Sequence, residues 1–247
     1  MHAVGSCATH QKARSSCESA DRVIIYGRNP VREAIRAGRR PVLRIWATDP
    51  EEWTDAEAAD AARIADLCAS DDHQGVCAEV GPYPYADPDS LLEPEDALVV
   101  VLDQIQDPRN LGAVARVAEV AGASGMVIPE RRSAEVTPAA CKASAGAVEH
   151  LPVARVRNVA DFLDDAKKAG AWVYGAAADA KTAYDEPDYT GRVVLVMGSE
   201  GKGLRPKVAG HCDQLISLPV LGQVESLNVS TAAAAILYGI LQSRRRA

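Results

Sequence analysis

The chain has 247 residues, 47% of them apolar and 25% charged, and it carries a net charge of −7. The apolar share supports a real core, and no run of about 18 apolar residues marks a membrane span. The acidic balance argues against a uniformly basic nucleic-acid binder, and six scattered cysteines without a C-x-x-C pair or Cys/His cluster argue against a zinc finger, so no metal is expected.

Residues 1–20 are small and polar and lack the apolar segment of a signal peptide. They read as a disordered tail on a cytoplasmic protein with reduced thiols. Residues 23–26 read as a strand. Asn29-Pro30 reads as a helix start, with Asn29 as N-cap and Pro30 at the first helical position. Val31, Ala34 and Ile35 would line its buried face, Gly38 would stop it, and Arg32 and Arg36 would face outward. Residues 42–47 form a second expected strand. Thr54-x-x-Glu57 has the spacing of a capping box and predicts a helix to about Cys68. His73-Gln74-Gly75 leads into a short strand at 76–80.

Charge is segregated along this half. Between Arg22 and Arg44 there are seven arginines and one acid, Glu33; between Asp49 and Asp96 there are fifteen acids and one base, Arg63. The basic part suits a phosphate backbone, although a solvated helix face reads the same way. Residues 81–96 hold four prolines and five acids. They predict a linker between a small domain at 21–80 and a larger one at 97–247.

Beyond the linker, short apolar runs alternate with helical patterns. Strands are expected at 98–102, 125–128, 153–156, 171–176, 193–197 and 215–218. Helices are expected at 110–120, with Asn110 as cap, from Thr137-Pro138, at 158–169, and at 226–243, with Ser226 as cap. This is the pattern of an α/β fold with a parallel sheet covered on both faces.

Three polar loops fall at strand ends, where open parallel sheets hold their ligands. They are Asp103-Gln-Ile-Gln-Asp-Pro-Arg-Asn110 running on to Arg116, Gly198-Ser-Glu-Gly-Lys-Gly-Leu204, and the stretch from Ser217 to Ser230. A phosphate-binding P-loop is excluded, because Gly203 follows Lys202 where Ser or Thr is required and Val196 stands where the first glycine belongs. The dinucleotide fingerprint fails at Pro206.

D-x-x-x-D-P-R-N-L-G-A-x-x-R, M-G-S-E-G-x-G-L and L-P-x-x-G-x-x-x-S-L-N-V-S, in that order, resemble the SpoU (TrmH-type) RNA ribose 2′-O-methyltransferases, closest to the bacterial 23S rRNA guanosine branch. The resemblance covers about 150 residues from Leu98 onward. The segment with Tyr26-Gly27 and His73-Gln-Gly75 is similar to that family's small L30e-like RNA-binding domain. The resemblance implies a deep trefoil knot, a homodimer, S-adenosylmethionine as methyl donor and RNA, ribosomal RNA first, as substrate. A tRNA substrate, or a non-catalytic RNA-binding factor on the same fold, are the alternatives.

By the same resemblance, Gly198, Leu218 and Leu227 would hold the cofactor, and Asn110, Arg116, Glu200, Ser226 and Asn228 would form the catalytic set. Glycines in the second loop would let backbone approach the ligand. Arg116 suits a phosphate-holding role better than a base, because guanidinium stays protonated. Arg32, Arg36 and Arg132 are candidate RNA contacts, and Arg244-Arg-Arg246 is a weaker one.

Overall fold

The structure is a computed structural model that describes residues 22–199, 201, 203–223 and 226–246. The expected tail at 1–20 lies outside the described residues.

The first apolar runs form a four-stranded sheet. Its elements are β1 (Val23–Tyr26), α1 (Arg28–Ala37), β2 (Val42–Ala47), β3 (Ala56–Ala58), α2 (Ala61–Cys68) and β4 (Val76–Val80), with strand order β1-β4-β2-β3. Helix α1 starts two residues earlier than expected, at Arg28 rather than Pro30. Gly27 is its N-cap, at φ 97, and Pro30 falls inside the first turn, where a missing N–H breaks no helical bond. Gly38 ends it in the left-handed conformation, donating its N–H to the Ala34 carbonyl at 3.2 Å. Ile35, expected in the core, is 43% exposed.

The helix expected from Thr54 does not form there. Ala56–Ala58 pairs with β2 instead, and the Trp46 indole N–H donates to Glu57 at 3.1 Å, so the acid of the supposed capping box is spent across the sheet. The helix begins at Ala61, where the Asp60 carboxylate accepts from the Arg63 N–H at 2.8 Å.

The second half contains β5 (Leu98–Asp103), α3 (Pro108–Val120), β6 (Gly125–Pro129), α4 (Pro138–Ala143), β7 (Val153–Val156), α5 (Val159–Lys168), β8 (Trp172–Ala176), β9 (Thr182–Ala183), β10 (Val193–Gly198), α6 (Pro206–Ala209), β11 (Gln214–Ser217) and α7 (Val229–Arg244). Seven strands form one sheet in the order β7-β6-β5-β10-β8-β11-β9, and every neighbouring pair is parallel. All six residues of β5 are buried, as a strand covered on both faces requires. Its side chains alternate between two cores: Leu98, Val100 and Leu102 pack with α3 and α7, while Val99 and Val101 pack with α5. The expected α/β fold with a parallel sheet is the observed one. Among the described residues no helix is long and apolar enough to cross a membrane.

Two caps differ from expectation. Asp107, not Asn110, caps α3, accepting from the Arg109 N–H at 2.8 Å. Asn228, not Ser226, caps α7. In both places several short polar residues precede the helix, and the one that wins is the one whose oxygen meets an N–H two residues on.

The two halves share a core. Ile25, Val31 and Val80 belong to the same cluster as Leu102, Leu111 and Ile240. Residues 81–96 do not run free between them. Ala86 bridges to Ala154, the Tyr83 hydroxyl donates to the Val148 carbonyl at 2.8 Å, and Leu91 and Leu92 are buried in a 3-10 turn. Much of the basic run is structural. Arg39 donates to the carbonyls of Leu151 (3.2 Å) and Pro84 (3.3 Å), and Arg40 is buried against Glu149, with Nε 3.0 Å from Oε2. Arg22, Arg28 and Arg36 pair with Glu79, Glu52 and Glu33. Arg244, a weak RNA candidate by sequence, instead holds the carbonyls of Tyr189, Asp96, Ala97 and Gly191, which fixes the end of α7 to the start of the sheet.

Candidate functional site

The carboxyl ends of β8, β10 and β11 open into a cavity of about 700 Å³. Ala176, Met197 and Ile216 come from the strands, Ser199, Gly201 and Gly203 from the glycine loop, and Val229, Ala232 and Ile236 from α7. Of the residues singled out in the sequence, Gly198, Leu218, Ser226, Leu227 and Asn228 all line it. Glu200 lies outside the described residues. Ala176 of β8 and Ala232 and Ile236 of α7 belong to no motif; the rule that ligands sit at the carboxyl ends of parallel strands is what points to this place.

The glycine loop is tight for a reason of its own. Ser199 and Gly203 exchange backbone bonds at 3.1 and 2.9 Å, closing the loop on itself. A Cβ on Gly198 would lie 2.2 Å from the Gly203 carbonyl carbon and 2.4 Å from the Leu204 nitrogen. The glycine therefore admits the returning loop, whereas the sequence suggested that it admits a ligand.

The far end of the loop is tied to β5. Asp103 is fully buried and stands opposite Gly198 in register. It accepts from the Arg205 N–H at 3.1 Å and from Arg205 Nε at 2.8 Å, and pairs with the Nη2 group at 2.6 Å. Asp103→Asn keeps the shape but removes the charge. It is expected to lower stability by about 2 kcal/mol, the scale of a charged hydrogen bond. A denaturation midpoint equal to that of the parent chain would show that the loop closes without this pair.

Asn110 and Asn228 meet across the cavity wall. The Asn228 Oδ1 accepts from the Ser230 N–H at 2.8 Å and from its hydroxyl at 2.6 Å. Capping thus fixes which end of the amide is oxygen, and the Nδ2 is left to donate to Asn110 Oδ1 at 3.1 Å. A helix cap and a site residue are here one side chain.

Arg116 is not brought to this cavity. It stands six residues beyond Asn110 on α3, about 9 Å along the axis and roughly 240° around it. It opens instead onto a groove of about 480 Å³ shared with Arg32 and Arg36 of α1. Arg132 sits apart from both, exposed in the loop after β6 with φ 59.

The thiols are quiet. Burial pushes Cys77, Cys141 and Cys212 each up to about 12, so all three stay protonated at neutral pH. Among the described residues no group of three His, Cys, Asp or Glu side chains is placed to hold a metal.

A seven-stranded parallel sheet with a glycine loop and a helix start at its carboxyl edge defines an α/β protein with a cavity of small-molecule size. Residues 97–238 match the SpoU rRNA Methylase family, and residues 24–86 match the RNA 2′-O ribose methyltransferase substrate binding family. The chain belongs to the SpoU rRNA methylase family. An uncharacterized tRNA/rRNA methyltransferase of Mycolicibacterium vanbaalenii is 41% identical over 92% of this chain and 78% of its own length. One from Synechocystis sp. is 38% identical over 90% of this chain, which spans 62% of that relative's length. Among solved structures, the SpoU methyltransferase AviRb from Streptomyces viridochromogenes in complex with the cofactor AdoMet superposes with a TM-score of 0.78 and 26% identity, over 91% of each chain.

Proposed function

We propose that the chain transfers a methyl group from S-adenosylmethionine to a ribose 2′-hydroxyl of RNA, with a guanosine of 23S ribosomal RNA as the first candidate. The single observation behind this reading is the convergence of Gly198, Leu218, Ser226, Leu227 and Asn228 on one cavity. Its volume of about 700 Å³ lies in the range of small-molecule sites. Its described lining is apolar side chain and loop backbone with few polar side chains, which suits an adenosine ring on one side and backbone recognition of polar ends on the other.

When bound, S-adenosylmethionine supplies a methyl carbon activated by a positively charged sulfur. The task left to the protein is to orient the ribose oxygen in line with that carbon and to ease loss of its proton. Asn228, held by its capping bonds and by Asn110, offers a fixed amide at the cavity wall, and Ser226 lies beside it. Glu200 would order the glycine loop. Arg116 would hold a phosphate with its planar fork of donors.

The family's homodimer and trefoil knot are part of this proposal. Val220, Leu221, Leu227 and Tyr238 are exposed around the cavity mouth and α7, with Leu221 98% exposed, which supports a covered surface there.

The test uses tritiated S-adenosylmethionine with purified bacterial 23S rRNA and with tRNA, alongside the mass of the protein in solution. Label is expected in 23S rRNA, from a particle of twice the chain mass. Label in tRNA alone would replace the substrate. Cofactor binding with no label in any RNA would favour a non-catalytic RNA-binding factor.

A further inference from the structure

We infer that Ser230 is a positioning residue for methyl transfer: its hydroxyl locks the Asn228 amide so that Asn228 faces the ribose as a donor only. This deepens, and rests on, the reading of the protein as an RNA ribose methyltransferase.

The assignment of atoms follows from one backbone hydrogen. The Ser230 N–H can only donate, so the Asn228 atom 2.8 Å from it is Oδ1. The Ser230 hydroxyl meets that same oxygen at 2.6 Å, and because an amide oxygen only accepts, the hydroxyl donates. Two bonds fill the two lone pairs of Oδ1. Whatever Asn228 offers to a ligand therefore comes from Nδ2. That nitrogen donates to Asn110 Oδ1, 3.1 Å away, and so turns the Asn110 amide the same way round. The sense of both amides, 118 positions apart, is set at Ser230.

Capping alone does not ask for the hydroxyl. An N-cap side chain needs one N–H from the first turn, and the Ser230 backbone supplies it. With that bond alone the carboxamide could swing about the contact, and its oxygen would keep a lone pair open. With two bonds it is held in one plane. The start of α7 gives the hold a firm base: Val229 is 5% exposed and Ala233 is fully buried. Asn228, Val229 and Ala232 all line the cavity.

The consequence concerns the ribose hydroxyl, whose hydrogen has to leave as its oxygen takes the methyl group. An amide that can only donate holds a ribose oxygen by a lone pair and leaves the hydroxyl hydrogen untouched. An open oxygen on Asn228 would do the reverse. It would tie up the hydrogen without being basic enough to take it.

The test compares variants of the full chain with the parent, using tritiated S-adenosylmethionine and the RNA that the parent labels. Ser230→Ala keeps the backbone cap and removes the hydroxyl. Its kcat is expected to fall about tenfold while cofactor affinity by calorimetry stays within about twofold, because the reacting group is misplaced and no cofactor contact is lost. Ser230→Thr returns the hydroxyl and should return kcat. Asn228→Asp keeps a capping oxygen, so its melting temperature should match or exceed the parent's. It puts oxygen where Nδ2 was, so kcat should fall at least about a hundredfold. The side-chain nitrogen of Asn228 gives a readout that needs no turnover. Its NMR order parameter should lie near about 0.85 in the parent and in Ser230→Thr, and below about 0.6 in Ser230→Ala. Ser230→Ala with the parent's order parameter, or with the parent's kcat, overturns the proposal. So does a loss of kcat that Ser230→Thr shares, or one matched by an equal loss of cofactor affinity. A parent chain that labels no RNA sinks the methyltransferase reading instead, and the order parameters then decide the hold on Asn228 by themselves.

Discussion

Gly198→Ala is expected to weaken S-adenosylmethionine binding at least tenfold, about 1.4 kcal/mol, and to lower the melting temperature at the same time. The added Cβ would lie 2.2 Å from the carbonyl carbon of Gly203 and 2.5 Å from its oxygen, both backbone atoms that no rotamer change can move aside. Forcing atoms into such a space costs about 1–3 kcal/mol where the surroundings shift. What shifts here is the loop that walls the cavity, because Ser199 and Gly203 are bonded to each other and Arg205 is anchored on Asp103. Gly201→Ala is the control. That position has φ +74 with nothing within 4 Å of an added Cβ, so it carries the strain of a left-handed backbone, about 1–2 kcal/mol, without a collision. Calorimetry and a thermal melt on both variants separate the cases. Parental affinity and melting temperature in Gly198→Ala would mean that the loop does not cross where it is placed.

Arg40→Ala is expected to have the largest effect on stability, about 3–5 kcal/mol, the scale for breaking a buried ion pair from one side. Arg40 and Glu149 expose 2% and 1% of their side chains. Burial opposes the charge on Arg40, yet the hydrogen bonds and charge of Glu149 outweigh it and raise the guanidinium above its ordinary pKa. Arg40 also donates to the Gly81 carbonyl at 3.3 Å and contacts Cys141 Sγ at 3.6 Å. Without it, the Glu149 carboxylate stays buried with only the Cys141 thiol beside it, at 3.7 Å. For a chain of this size the loss corresponds to a melting point lower by roughly 6–20 °C. Arg40→Met with Glu149→Leu should recover much of that, because an apolar pair leaves no orphaned charge. A single variant that melts within about a degree of the parent would show that the seam is held by apolar packing alone.

The strands of the sheet were legible because a strand buried on both faces must be an unbroken apolar run, and 98–102 and 193–197 are such runs. The cavity was legible because many of its residues fall at strand ends in the second and third of the three ordered motifs. Other features depend on partners far along the chain, and no local pattern carries them. Arg40 reads as one of seven basic residues, but its acid lies 109 positions away. Thr54-x-x-Glu57 has the spacing of a cap, but Glu57 is taken by Trp46. The strand Thr182–Ala183 has only two residues and exists because β11 offers it an edge. Arg116 is the instructive case: its motif groups it with Asn110, while a spacing of six on a helix sets the two on different faces. Helical geometry alone was enough to separate them.

The strand order also bears on the time course of synthesis. β10 lies between β5 and β8, and β11 between β8 and β9, so each late strand must enter beside strands made long before it. Contacts so distant in sequence make for slow folding, because the loops between them must close first. The cavity also takes its lining from β10, β11 and α7 together. A growing chain that has completed residues 1–213 therefore holds six strands of the larger sheet but neither β11 nor α7, and so no complete cavity.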